Sequence, residues 1–502
     1  MSVPGATPFK IAVPDDALKQ LKAKLDLATF PDELEDVEWD YGTPLKDVKR
    51  LVDRWRNGYD WREHEAKLNA ELPQFTRDIE VEGHGTLNVH YVHQESSNEK
   101  AIPLLFVHGW PGSFIEVRKI LPLLTKGTEG PSFHVVAVGL PGYGFSEAPK
   151  KKGFSTPQYA EVGHKLMLSL GYNEYVTQGG DWGSLITRQI ASEYGGKASK
   201  AWHTNMPMAL SPHPLYQPLS YLRYALTPYK PHEKAGLERS AMFSLKGRGY
   251  FAIQSTRPQT LGYGLADSPV ALLAWIYEKL VGWTDNYPWE DDEVLTWVSI
   301  YLFSRAGPTA STRIYYEVIQ NKHFGDKLVP KVPTGFSYFP QEIVRNPISW
   351  TRGAGHVVYQ KEHDKGGHFA AHERPDDLVG DLREMFGKKG PCFGVVPGKD
   401  GELDDGTWSS QTWRSRTNLT EQLKVVAIQL FTGEIHRDPT YVIHQVYIKA
   451  IQLADMLMMC DETRISRLYI SQELEVQSGG STTKLDDVVS RDNGVTGPTL
   501  GG

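Results

Sequence analysis

The sequence predicts an α/β protein with a mostly parallel central sheet, an N-terminal meander before it and a helical insertion within it. Three observations carry that prediction. Ile102–Val107 and residues 135–140 are short, unbroken apolar runs, the pattern of strands covered on both faces. Each run ends in a turn rich in glycine and proline, His108-Gly-Trp-Pro-Gly112 and Pro141-Gly-Tyr-Gly144, on the edge where open α/β sheets bind their ligands. Strand–helix alternation stops after Met206 and resumes only at Lys331, and the stretch between is aromatic-rich and helix-patterned.

Taken in order, residues 15–28 carry apolar positions at helical spacing behind Pro14-Asp15-Asp16, a helix start, and 45–72 is a second helix-rich stretch. Residues 76–82 and 87–93 alternate across Gly83-His84-Gly85, a hairpin signal. Strands at 102–107, 135–140 and 174–178 follow, the last running through a glycine-rich turn into a helix at 184–191. The strand pattern returns at 331–339 and near 356–360, and 375–386 closes as a helix. Five regions result: a meander over 1–95, a first core part over 96–210, a helical lid over 211–324, a second core part over 325–390 and a C-terminal extension over 391–502. Within the extension, 391–416 is glycine-rich and polar, and 477–502 has the composition of a disordered tail. Between them Ile443, Tyr447, Ala450, Ala454 and Leu457 recur at four- and three-residue steps, marking an amphipathic helix. Such a helix either docks on the surface or makes an oligomer or partner contact, a homodimer among them.

Composition narrows the function classes. A chain of 502 residues buries a large core and holds more than one structural unit. Its 54 basic and 61 acidic residues leave a net charge of −7, which makes no case for nucleic acid. No apolar run reaches the ~18 residues a spanning helix needs, so no transmembrane anchor is expected. Residues 1–10 lack the basic and apolar segments of a secretory signal. Two cysteines, Cys392 and Cys460, fit neither a disulfide framework nor a metal cluster, which points to a cytoplasmic location.

The most informative stretch is Gly179-Gly180-Asp181-Trp182-Gly183. Small residues around one reactive side chain, with a strand before and a helix after, make the nucleophile elbow of an α/β-hydrolase. The apex is Asp181 where serine hydrolases place Ser, and no Gly-x-Ser-x-Gly occurs in the chain. A carboxylate attacks through oxygen and leaves an ester, which suits opening an epoxide or displacing a halide rather than cleaving peptides or esters. The bland alternative is a turn aspartate capping the next helix.

From about residue 9 to 387 the chain resembles epoxide hydrolases of the microsomal type, including their soluble fungal members. The resemblance rests on His108-Gly-Trp-Pro-Gly-Ser-Phe114, Gly179-Gly-Asp-Trp-Gly183, Asp267-Ser-Pro269, Val332-Pro-Thr-Gly-Phe336 and Gly366-Gly-His-Phe-Ala-Ala371. It implies the α/β-hydrolase fold and the hydrolysis of a small hydrophobic epoxide by water to a vicinal diol, through an ester on Asp181. His368 is implied as the base that activates water, with His363 and His372 as rivals, and Glu342 as its acidic partner, with Asp364 as rival. Tyr250 and Tyr315 are implied as proton donors to the epoxide oxygen, Tyr316 standing one residue from the second. A phenol suits that task, because its ordinary pKa of ~10 lies closer to an alkoxide's than a carboxylic acid's does. The backbone N–H groups of Trp110 and Trp182 are implied as the oxyanion hole, with a cis peptide before Pro111. No cofactor and no metal are implied, water being the only co-substrate. The lid aromatics Trp275, Tyr277, Trp283, Tyr287 and Trp289 favour hydrophobic substrates. Two other readings stay open: a haloalkane or haloacid dehalogenase, which shares the aspartate and histidine, and a catalytically silent α/β-hydrolase used for binding.

Overall fold

A computed structural model describes residues 5–126, 130–209, 211–213, 215, 218–324 and 328–402. The amphipathic segment 443–457, the tail 477–502 and Cys460 lie outside the described residues. The N-terminal region supplies β1 (Thr7–Pro8), α1 (Asp15–Asp26), α2 (Leu45–Asn57), α3 (Trp61–Glu71), β2 (Gln74–Val81) and β3 (Gly85–Gln94). The first core part runs β4 (Ile102–Val107), α4 (Leu121–Lys126), β5 (Phe133–Val138), α5 (Thr156–Ser169), β6 (Tyr175–Gly179), α6 (Trp182–Glu193) and β7 (Ser199–Thr204). The insertion holds α7 (Pro218–Leu226), α8 (Pro231–Met242), α9 (Gly249–Thr256), α10 (Pro258–Asp267), α11 (Pro269–Gly282), α12 (Asp291–Leu302) and α13 (Arg313–Gln320). The chain then returns through β8 (Pro333–Tyr338), α14 (Ile348–Thr351), β9 (His356–Glu362), α15 (Ala370–Glu373) and α16 (Pro375–Phe386).

Among the described residues, nine strands join one sheet in the order β1-β2-β3-β5-β4-β6-β7-β8-β9. From β5 to β9 the pairing is parallel, while β1 to β3 and the junction of β3 with β5 are antiparallel. The meander hairpin therefore extends the central sheet instead of forming a separate layer. Every residue of β4, β5 and β6 is buried, which is why β4 is an unbroken apolar run and why β5 and β6 show no solvent-facing alternation, His134, Thr177 and Gln178 being buried with the rest. The hairpin strands are longer than alternation predicts, because Gly83 and Gly85 both take positive φ and let pairing continue up to the turn at Val81↔Gly85.

The insertion leaves the sheet after β7 and returns at β8, its hydrogen-bonded neighbour. The lid thus leaves from the carboxyl end of β7, the sheet edge that carries the turn 108–112 and the elbow 179–183, and the chain re-enters the parallel sheet at the amino end of β8, on the opposite edge. The meander grips the lid from the other side. Arg54 forks onto Asp292 with bonds of 2.7 and 2.8 Å, Thr43 donates to the Ala274 carbonyl at 3.0 Å, and Lys24 donates to the Asp267 carbonyl at 2.6 Å. Partly exposed pairs of this kind fix orientation more than they add stability.

The compositional break near residue 390 is not where packing ends. Cys392 and Val396 are buried, and the Gly401 carbonyl accepts from the Ser132 N–H and from Asn98 Nδ2, both at 2.8 Å. Two apolar side chains and one carbonyl are enough to hold a glycine-rich segment on the core. Among the described residues, no helix is long and apolar enough to cross a membrane.

Candidate active site

Strand β6 delivers the chain to Gly179, and α6 begins at Trp182, so Asp181 sits at the apex between them with φ 50° and ψ −129°. A non-glycine residue in that region stores ~1–3 kcal/mol of strain, and it persists only where its surroundings impose it. Close packing imposes it here. A Cβ on Gly183 would lie 1.9 Å from the Val107 carbonyl oxygen, and one on Gly109 would lie 2.2 Å from Asp181 Oδ1. Only glycine lets α6 and the turn 108–112 press this close to the aspartate.

The turn after β4 supplies the first partner. The Trp110 N–H donates to Asp181 Oδ1 at 2.8 Å, and the Trp110–Pro111 peptide is cis. Lid helix α12 holds this turn from above, with Trp297 Nε1 donating to the Pro111 carbonyl and the Tyr301 hydroxyl to that of Gly112. His108 ties it from below: its Nε2 accepts from the Leu140 N–H while Nδ1 bonds the Gly109 carbonyl, so it stays neutral, its pKa lowered by burial to about 4. Trp182 opens α6, so its N–H has no acceptor within the helix.

His368 lies between two carboxylates. Its Nε2 stands 3.3 Å from Asp181 Oδ2, and its Nδ1 pairs with Glu342 Oε1 at 2.6 Å. Burial works against the imidazolium, yet Glu342 and Asp181 together raise the His368 pKa well above the ordinary histidine range. Glu342 is itself fixed by the Ile343 N–H at 2.7 Å. Three consecutive N–H groups strap the histidine loop to the segment after α11, two directly and one through Glu373. Gly366 donates to Asp285 Oδ2 at 2.9 Å, Gly367 to Glu373 Oε1 at 2.9 Å, and His368 to the Trp283 carbonyl at 2.8 Å. Glu373 closes the strap by accepting the Asp285 N–H at 3.0 Å; burial lifts its pKa to about 7.

The lid brings two phenols over this group. Tyr250, near the start of α9, stacks on Trp110 with ring centroids 5.2 Å apart, and Tyr315, on α13, lies edge-on to Trp182 at 4.8 Å. The two tyrosine rings are 5.8 Å apart. Burial, reinforced by the Asp181 charge, raises both phenol pKa values well above 10, so both are protonated. The Tyr315 hydroxyl is buried against the Trp182 indole N–H and the Tyr250 hydroxyl.

The sequence rivals lie elsewhere. Tyr316 is 37% exposed where Tyr315 is 1% exposed. His363 pairs with Asp381 at 2.7 Å, His372 pairs with Glu293 at 2.7 Å, and Asp364 is exposed. Of the five lid aromatics, Trp283 reaches the site, packing against Tyr250, His368 and Trp110. Trp275 instead donates to Gln254, Tyr277 packs on Trp39 of the meander, and Tyr287 and Trp289 surround His372. Glu116 went unread in the sequence. It is buried in a 3₁₀ turn beside Gly112 and lines the same cavity as Asp181 and His368. Its one sequence signal is a lone acid inside the apolar run Phe114-Ile-Glu-Val117.

A parallel sheet with a strand–turn–helix elbow, a late histidine loop and a helical insertion defines the α/β-hydrolase class, here with a carboxylate at the elbow. Residues 102–240 match the model for the alpha/beta hydrolase fold, and residues 6–117 match the model for the epoxide hydrolase N terminus. Epoxide hydrolase 1 of Sus scrofa is 36% identical over 413 residues, covering 76% of this chain and 88% of that protein. The solved Aspergillus niger epoxide hydrolase is 35% identical with a TM-score of 0.65, covering 76% of this chain and 96% of that one. The juvenile hormone epoxide hydrolase of the silkworm Bombyx mori is 30% identical with a TM-score of 0.68, covering 75% and 93%. The chain belongs to the epoxide hydrolase family.

Proposed function

We propose that the protein opens hydrophobic epoxides to vicinal diols in two steps, through an ester on Asp181. One observation carries the reading: the Asp181 carboxylate is held by the Trp110 N–H and by His368, with two protonated phenols packed over the same turn. In the first step an Asp181 oxygen bonds to an epoxide carbon, the C–O bond of the ring breaks, and Tyr250 or Tyr315 gives its proton to the departing oxygen. In the second, His368 takes a proton from water, and the water oxygen adds to the ester carbon. The Trp110 and Trp182 N–H groups receive the oxyanion, a contribution of ~10²–10³ per donor in comparable sites. Collapse expels the diol oxygen, which takes the proton held by His368. The second water proton returns to the tyrosinate, so each cycle consumes one epoxide and one water.

The electrostatics give the order of events a cause. While Asp181 is ionised, it helps keep His368 protonated. Esterification cancels that charge and lowers the imidazole pKa, so His368 releases its resting proton to solvent and becomes a base once there is an ester to hydrolyse, regaining that proton when the Asp181 carboxylate is restored. Trp110, Trp182, Trp283 and Phe251 crowd the two tyrosines, which favours an apolar substituent on the epoxide. One turnover of stoichiometric epoxide in ¹⁸O-water tests the route. The expected result is an unlabelled diol and label in the Asp181 carboxylate. Label in that first diol, with none in Asp181, would mean direct attack by water.

A further inference from the structure

The space beside Asp181 is divided. On one side stand Tyr250 and Tyr315, their rings 5.8 Å apart. On the other is a cavity of about 10 Å³ whose polar lining is Asp181, His368, Glu116 and Asn205. Neither tyrosine lines it. That volume is too small for a three-membered ring and is at the lower end of what one water needs, ~10–15 Å³, together with two to four polar partners. Asn205 is largely committed, its Oδ1 to Gln178 at 2.8 Å and its Nδ2 to the His368 carbonyl at 3.4 Å. His368 Nε2 is the base. Glu116, whose carboxyl already accepts from the Gly109 and Ser113 N–H groups, is the remaining side chain of the lining with an oxygen to accept the water's second proton.

We infer that this cavity holds the hydrolytic water and that Glu116 orients it against the ester carbon of Asp181. The inference rests on the ester route proposed above. The water gives one proton to His368 Nε2 and a hydrogen bond to a Glu116 carboxyl oxygen, which leaves an oxygen lone pair directed at the ester carbon. No bond to Glu116 forms or breaks. Burial lifts the Glu116 pKa to about 8, the His368 charge opposing it and the Asp181 charge adding to it, so the resting site avoids a second carboxylate beside the first.

The test separates the two half-reactions in the full-length chain, using styrene oxide as probe and stopped-flow tryptophan fluorescence, which Trp110, Trp182 and Trp283 around the site should report. With Glu116→Gln, alkylation of Asp181 should run within about 3-fold of wild type, while decay of the ester slows about 10–100-fold, because the amide keeps its oxygen on the Gly109 and Ser113 N–H groups and turns an NH2, which cannot accept, toward the water. Alkylation at the normal rate also shows that the variant is folded. If the glutamine variant does not fold, Glu116→Asp, which withdraws the carboxyl by one methylene, must show the same split. An unchanged decay rate in either folded variant overturns the role of Glu116. Absence of any ester in wild type, in Glu116→Gln and in a His368→Gln control overturns the ester route, and the inference falls with it.

Discussion

Replacing Glu116 by glutamine has a thermodynamic consequence independent of catalysis. In the fold its carboxyl is buried, and its pKa rises from the ordinary 4.5 to about 8, chiefly through burial. Because the folded value stands above the unfolded one, the neutral form's advantage is whole below about pH 4.5 and is lost as the pH climbs through 8. A tenfold change in an ionisation constant corresponds to about 1.4 kcal/mol, so the rise from 4.5 to about 8 corresponds to about 5 kcal/mol, an upper bound on what ionised Glu116 costs the fold. Glutamine has nearly the same shape and never ionises. The stability difference between Glu116→Gln and wild type should therefore be small at pH 4.5 and grow in the variant's favour through pH 5–8, flattening above pH 8. Other buried groups also titrate, among them Glu373 with a pKa near 7, but they are common to both proteins and cancel in the difference. Thermal and urea melts of both chains across pH 4.5–9 provide the measurement. Parallel stability profiles would overturn this expectation, because they would mean that Glu116 titrates alike in the folded and unfolded chain.

Further outcomes follow from the site and its packing. Tyr250→Phe and Tyr315→Phe should each slow alkylation, and the double variant should suppress it by about 10²–10⁴-fold, read as pre-steady-state fluorescence; unchanged alkylation in the double variant would remove both phenols from the proton-donor role. Glu373→Gln keeps one acceptor of the strap but sets an amide against the N–H of Gly367 or Asp285, so ester decay should slow while alkylation persists; equal slowing of both steps would make the strap merely structural. Gly183→Ala should yield little folded protein, since its new methyl would lie 1.9 Å from a backbone oxygen, whereas Gly380→Ala on α16 meets nothing within 4 Å and should raise stability by ~1 kcal/mol. Melting of both variants against wild type decides this pair.

How much was legible depended on whether a feature is local. Strand β4 and the elbow glycines read directly, because burial on both faces and contact with the Val107 carbonyl each restrict a few adjacent residues to apolar side chains or none. Lid aromatics did not reveal which way they face. Tyr277 looks like Trp283 in sequence, yet it packs on Trp39, because α11 presents one side to the meander and its end to the site. The strap joins Asp285 to Glu373 across 88 residues, and no spacing rule relates them. Glu116 was hidden for another reason. An acid in a short turn normally reads as a solvated cap, and only burial beside Asp181 makes it chemically distinct. The break near residue 390 misled because composition reports flexibility and not contact. The buried Cys392 and Val396 keep that segment on the core.

The proposed chemistry requires Asp181 to become covalently bonded to the substrate before water acts. The intact mass of His368→Gln, mixed with excess styrene oxide, quenched in acid and followed by peptide mapping, observes that bond itself. The expected result is a mass gain of one epoxide, confined to the peptide containing Asp181 and persisting because the base is gone. An unmodified chain in an otherwise folded variant, or an adduct on any other residue, would contradict it.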